Sequence, residues 1–172
     1  MSVLHIMVGI PSSGKSTYAK KLAEETGAVI ISSDGIRAEL SGTEEYNEAQ
    51  NYKVICTIRG RLRHLIKDHD VIIDATNVHV ADWRDYIDRC PPDITVKVHW
   101  FEIPPEVAMQ RMEGRERKVC KEVLRDKWNT MTSNKKFLEK YINPKISCTL
   151  RPICTRLPRR ITRGIVYGKE EA

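Results

Sequence analysis

The 172-residue chain predicts an α/β fold, a parallel sheet with helices on both faces. Two observations carry this reading. Short apolar runs alternate with longer amphipathic ones along residues 3–131. The first run is also joined to the first amphipathic segment by a glycine-spaced loop, Gly9-Ile10-Pro11-Ser12-Ser13-Gly14-Lys15-Ser16. A strand that turns sharply into a helix through such a loop belongs to a sheet whose strands run parallel.

Each element has its own signal. Val3-Leu4-His5-Ile6-Met7-Val8 is a buried strand, and Ser16 to Glu25 is an amphipathic helix. Ala28-Val29-Ile30-Ile31-Ser32, bounded by Gly27 and Asp34, is the second strand. Asp34 is expected to cap a short helix through Leu40, which Ser41-Gly42-Thr43 ends. A long helix is expected from about Glu45 to Lys67, with Val54, Ile58, Leu62 and Leu65 on one face. Val71-Ile72-Ile73-Asp74 is the third strand, and Asp82 to Arg89 is a helix stopped by Pro91-Pro92. Ile94 to Phe101 is the fourth strand. Pro104-Pro105 starts a helix to about Glu113, and another is expected from Lys121 to Met131. From about Asn143 the periodicity fades, and Gly164-Ile165-Val166-Tyr167 is the only candidate for a further strand. The expected division is a domain over 1–142 and a basic segment over 143–172.

Composition narrows the class. Hydrophobic content of 41% and charged content of 30% are those of a soluble globular chain, with no apolar stretch of membrane length. No signal peptide is expected ahead of the first strand, and the five cysteines are scattered without a CxxC pair. Reduced thiols in a cytoplasmic protein, with no membrane partner, are the expectation. The net charge of +6 is unevenly placed, because Lys135 to Lys169 holds ten Lys/Arg against one acid, Glu139. Arg151, Arg156, Arg159, Arg160 and Arg163 form a strip able to hold a polyphosphate, or only a solvated tail.

The loop matches GxxxxGK[ST], the phosphate-binding loop, extended by Thr17. Its glycines let successive N–H groups turn into one anion-sized cavity, beside the partial positive charge of a helix N-terminus. Gly9, Ser12, Ser13, Gly14, Lys15, Ser16 and Thr17 are thus the expected ATP site. Lys15 would reach the β- and γ-phosphates and Ser16 would give an oxygen to Mg²⁺. Strand C-terminal ends share one edge, so Asp34 and Asp74 should open onto the same crevice. Asp34 could orient an attacking hydroxyl or merely cap a helix, and Arg37 lies one turn on. Asp74 is a candidate magnesium ligand, and Asn77 a candidate for the substrate or for a helix cap. Arg111, Arg115 and Arg117 form a charged stretch near 111–120 that could close over the triphosphate. Tyr46 and Tyr52 flank the crevice, and His5 is expected to pack.

Together, Gly9-to-Thr17, Ser33-Asp34-x-x-Arg37, Val71-Ile72-Ile73-Asp74-Ala75-Thr76-Asn77 and Arg111/Arg115 resemble the bacteriophage-type 5′-polynucleotide kinase domain over roughly residues 3–135. The resemblance implies strand order 2-3-1-4 and a tunnel that admits the polynucleotide opposite ATP. It implies ATP and Mg²⁺ on Lys15 and Ser16, a general base at Asp34, an acceptor-side cation at Arg37 and a lid arginine at Arg115. Its partner would be a nucleic-acid 5′ end, in a host cytoplasm if the source is a phage. No DxDxT phosphatase motif accompanies it. The expected activity is transfer of the γ-phosphoryl of ATP to a hydroxyl, favouring a polynucleotide 5′-OH. A kinase of small molecules, nucleosides or nucleotides is the alternative. A nucleotide-gated nucleic-acid-binding module is a third reading, which would have no need of Asp34 as a base.

Overall fold

The computed structural model describes residues 2–113, 119–141 and 146–151, with side chains only in 2–113 and 119–135. In chain order the elements are β1 (Val3–Gly9), α1 (Lys15–Thr26), β2 (Val29–Ser32), α2 (Ser33–Ser41), α3 (Glu48–Leu65) and β3 (Val71–Asp74). Then follow α4 (Val80–Ile87), β4 (Thr95–Phe101), α5 (Pro105–Met112), α6 (Lys121–Tyr141) and β5 (Ile146–Arg151). All strands pair in parallel, in the order β2-β3-β1-β4-β5. The expected 2-3-1-4 order is therefore present, with one strand added outside β4.

Alternation along β1 divides the core. Leu4, Ile6 and Val8 point to one face, where Ile36 of α2, Val54, Ile58 and Leu62 of α3, Trp83 and Tyr86 of α4 and Met131 of α6 cover them. Met7 points to the other face and meets Ala19 and Leu22 of α1. Truncating a fully buried leucine such as Leu62 in such a core costs about 2–5 kcal/mol. A third cluster, Ile10, Ile103, Ala108, Met112 and Leu124, seats α5 and α6 beside the phosphate-binding loop.

His5 does pack, and on a partner in β4. Its Nδ1 lies 2.9 Å from His99 Nε2, both rings are buried, and the two stack with centroids 5.2 Å apart. Burial lowers the His5 pKa from 6.5, with Lys97 acting the same way and Asp70 opposing.

Four expectations are corrected. The cap of α2 is Ser32, whose hydroxyl accepts from the Gly35 N–H at 3.3 Å, so Asp34 stands in the first turn rather than at the cap. The long helix begins at Glu48, capped by Asn47, which leaves Tyr46 in the connection before it. α6 continues ten residues past Met131 to Tyr141. The fifth strand is Ile146–Arg151, inside the stretch where periodicity fades. Its sequence does alternate, apolar Ile146, Cys148 and Leu150 with polar Ser147, Thr149 and Arg151, a period-two strand signal too short to stand out in a basic segment, and it pairs in parallel with β4. Gly164-Tyr167 lies outside the described residues.

Candidate active site at the C-terminal edge of the sheet

β1 delivers its last residue, Gly9, into a gap that only glycine fills. A Cβ there would meet Ser13 Oγ at 2.6 Å and Phe101 Cβ at 3.0 Å. The Gly9 N–H donates to the Thr76 carbonyl at 3.0 Å, tying the loop to the segment after β3. The loop then turns through Ser12 at φ 62° and Gly14 at φ 93°. Gly14 sits at the N-cap of α1 with no side-chain cap, so the first N–H groups of that helix are left for a ligand. The Ser12 and Ser13 hydroxyls are buried and have no hydrogen-bond partner among the described residues. Such orphaned donors around a helix N-terminus fit a polyphosphate.

Lys15 is buried against the loop, its Nζ 3.4 Å from the Ile10 carbonyl. Asp74, at the end of β3, is also buried. Its carboxyl is pushed above the usual carboxylate range, chiefly by burial, although Lys15 and a hydrogen bond from Ser16 oppose this. Asp34 adds to the upward push and Lys20 works against it. These influences bring Lys15, Ser16, Asp34 and Asp74 to one crevice. The Ser16 hydroxyl and Asp74 carboxyl are hard oxygen donors within hydrogen-bond reach of each other, a set that suits Mg²⁺. Among the described residues no group of three or more His, Cys, Asp or Glu could hold a metal, so phosphate and water would supply the remaining ligands. Thr17 is exposed beside Ser16.

Asp34 and Arg37 pair directly across one helical turn, the arginine 13% exposed and the aspartate 46%. The Arg37 guanidinium also lies 5.6 Å over the Tyr46 ring. Sequence spacing shows the first contact but not the second, because Tyr46 reaches Arg37 only through the fold of the connection. Arg61 of α3 forks onto the Glu39 carboxylate, linking α3 to the same helix.

Asn77 corrects an expectation. It is 4% exposed at φ 46°, and its side-chain amide donates to the Met7 carbonyl at 2.8 Å. Its own carbonyl accepts from Trp83 Nε1 at 2.7 Å. Through these bonds it laces β1 to α4, and because the N-cap position of α4 is His79, Asn77 is not that helix's cap. Arg111 lies in the last turn of α5. Arg115, Arg117 and the rest of 114–118, like Arg156 to Arg163, lie outside the described residues.

A parallel sheet that presents a glycine-gated phosphate loop, a buried carboxylate at the end of β3 and a half-buried Asp–Arg pair on one edge defines a P-loop phosphotransferase. The chain belongs to the AAA_33 family, an AAA domain, which matches residues 4–138. Adenylate kinase 1 of Synechocystis sp. is 32% identical over 129 residues, 65% of this chain and 67% of its own length. Adenylate kinase of Thermotoga petrophila is 28% identical over 131 residues, 67% of this chain and 58% of its own. Among solved structures, a chain of the Pnkp1/Rnl/Hen1 RNA repair complex superposes with TM-score 0.71 at 24% identity. That match covers 81% of this chain but 46% of the other, so this chain spans less than half of that relative. A gluconokinase from Sinorhizobium meliloti superposes with TM-score 0.58 at 16% identity, covering 88% and 84%. ATP-dependent phosphotransfer is common ground for this family. No helix among the described residues is long and apolar enough to cross a membrane.

Proposed function

We propose that this chain moves the γ-phosphoryl of ATP to the 5′-hydroxyl of a polynucleotide. The observation that supports the reading is the Asp34–Arg37 pair, with Asp34 close enough to act on the buried Asp74 that Lys15 and Ser16 also influence. The phosphate loop would hold the triphosphate through its backbone N–H groups and the Ser12 and Ser13 hydroxyls. Lys15 would balance charge on the β- and γ-phosphates. Ser16 and Asp74 would hold Mg²⁺, which when bound adds positive charge beside those phosphates. Asp34, partly exposed, would accept the hydrogen bond of the attacking hydroxyl and take its proton as the new P–O bond forms. Arg37 fixes the Asp34 carboxylate and would face the acceptor's own phosphate. The resemblance assigns Arg115, together with Arg111, to the transferring group.

A nucleotide kinase is the second reading, favoured by the two adenylate kinase relatives. A phosphate acceptor is already ionised at neutral pH and has no use for a base, which is why Asp34 weighs toward a hydroxyl. The test is γ-labelled ATP offered with 5′-OH oligonucleotides, nucleoside monophosphates, nucleosides and sugars. Label on the oligonucleotides alone is the expected result. Label on AMP or gluconate, with none on any oligonucleotide, would overturn the proposal.

A further inference from the structure

Large apolar side chains that stay in water are few here. Leu40 is 46% exposed, Tyr46 59%, Tyr52 71% and Val123 40%, and these are the ones so exposed among the described residues. Three of them fall between residues 40 and 52, at the end of α2, in the connection and at the start of α3. None contributes to the core, and none is needed to bind ATP.

Tyr46 is singled out by what it touches. One face of its ring carries the Arg37 guanidinium, and Arg37 in turn holds Asp34. Tyr46 is therefore one side chain removed from the carboxylate that would receive the acceptor hydroxyl. The backbone around it is set by local bonds. Ser41 Oγ donates to the Thr43 carbonyl at 3.2 Å, the Glu45 N–H to Thr43 Oγ1 at 3.1 Å, and the Ala49 N–H to Asn47 Oδ1 at 2.9 Å. A ring on this braced connection, with a cation over one face and 59% of the residue exposed, is a platform for a second flat group. In a nucleotide acceptor, the group one sugar away from the 5′ oxygen is the base.

We propose that Tyr46 stacks the 5′-terminal base of the phosphoryl acceptor, so that the site holds base and hydroxyl together. This rests on the polynucleotide reading and goes beyond it by naming the contact that seats the acceptor's end. Stacking tolerates every base, because each has a π-face, so the site would favour a base without choosing among the four.

The test compares two oligonucleotides that share a 5′-OH and differ only in the terminal residue, normal or abasic. The wild type should lose roughly 5- to 100-fold in kcat/KM on the abasic acceptor, the worth of one base–aromatic stack. Tyr46→Ala should lose a similar factor on the normal acceptor and then treat the two alike. Tyr46→Phe and Tyr46→Trp should keep the discrimination, and Tyr46→Leu, apolar but not flat, should not. If the wild type uses both acceptors equally, or if Tyr46→Ala slows both by one factor and keeps their ratio, Tyr46 only braces Arg37 and the proposal fails. If neither oligonucleotide is phosphorylated while a mononucleotide or a sugar is, the polynucleotide reading fails and takes this one with it.

Discussion

Two carboxylates near one another meet opposite surroundings. Asp34 is half open to solvent and paired with Arg37, where a substrate hydroxyl could reach it. Asp34→Asn keeps the shape but removes the charge. It should lower kcat by about 10²- to 10⁴-fold while the Kd for ATP stays within a factor of about two. Parallel loss of ATP binding would make Asp34 part of the nucleotide site instead. Asp74 is buried, and burial raises its pKa despite Lys15 and Ser16. A carboxyl whose folded pKa lies above its unfolded one destabilises the protein once pH exceeds the unfolded value, and fully so above the folded value. Asp74→Asn should therefore raise the apo Tm at pH 7, by roughly 2–4 °C for each kcal/mol relieved, and the gain should vanish in acid, below the usual aspartate pKa. The same variant should demand more Mg²⁺ for activity. A lower apo Tm at pH 7 would mean that the Lys15 and Ser16 contacts outweigh the desolvation of Asp74.

Elements were legible where one local signal decided them. The loop from Gly9 to Ser16, the three apolar strands beside it and the paired prolines before α5 each carry their own chemistry in sequence. The side chain of Asn77 was not, because its partner carbonyl belongs to Met7, seventy residues away. Adjacent polar residues after a strand look the same whether they face a ligand or lace the sheet. Asn77→Ala leaves a buried carbonyl short of a donor and places alanine at φ 46°, so it should cost about 1–3 kcal/mol in chemical unfolding. The KM for an acceptor should change little beside that loss, and a large KM effect without destabilisation would restore the substrate role. The His5–His99 contact was hidden for the same reason. With the folded His5 pKa lowered, stability should be flat above pH 6.5 and fall as pH drops below it, when the unfolded chain takes up the proton first. His5→Phe should flatten that fall, and an unchanged pH profile would show that carboxylates elsewhere govern it.

At the scale of the whole molecule, β5 changes the meaning of the basic strip. The sequence shows charge without place, since the short alternation of Ile146, Cys148 and Leu150 with Ser147, Thr149 and Arg151 does not say which neighbour the strand pairs with. In the sheet, β5 runs parallel to β4 with Arg151 in register with Phe101, and Phe101 is in register with Gly9 at the mouth of the phosphate loop. β5 therefore ends on the edge that carries Lys15 and Asp34. Arg156, Arg159, Arg160 and Arg163 follow within twelve residues in sequence, and if the chain is a polynucleotide kinase they are the cations expected to meet the phosphates of the acceptor strand. Replacing all four with glutamine should raise the KM for oligonucleotides and leave the KM for ATP within about twofold. The log–log salt dependence of the oligonucleotide KM should flatten by roughly 0.7 for each single-strand phosphate contact removed. The length of the acceptor provides an internal control. A dinucleotide, with one phosphate to offer, should feel the quadruple substitution far less than a longer strand. An equal loss for both, or an unchanged salt slope, would reduce the strip to a solvated tail and shift weight to a small acceptor.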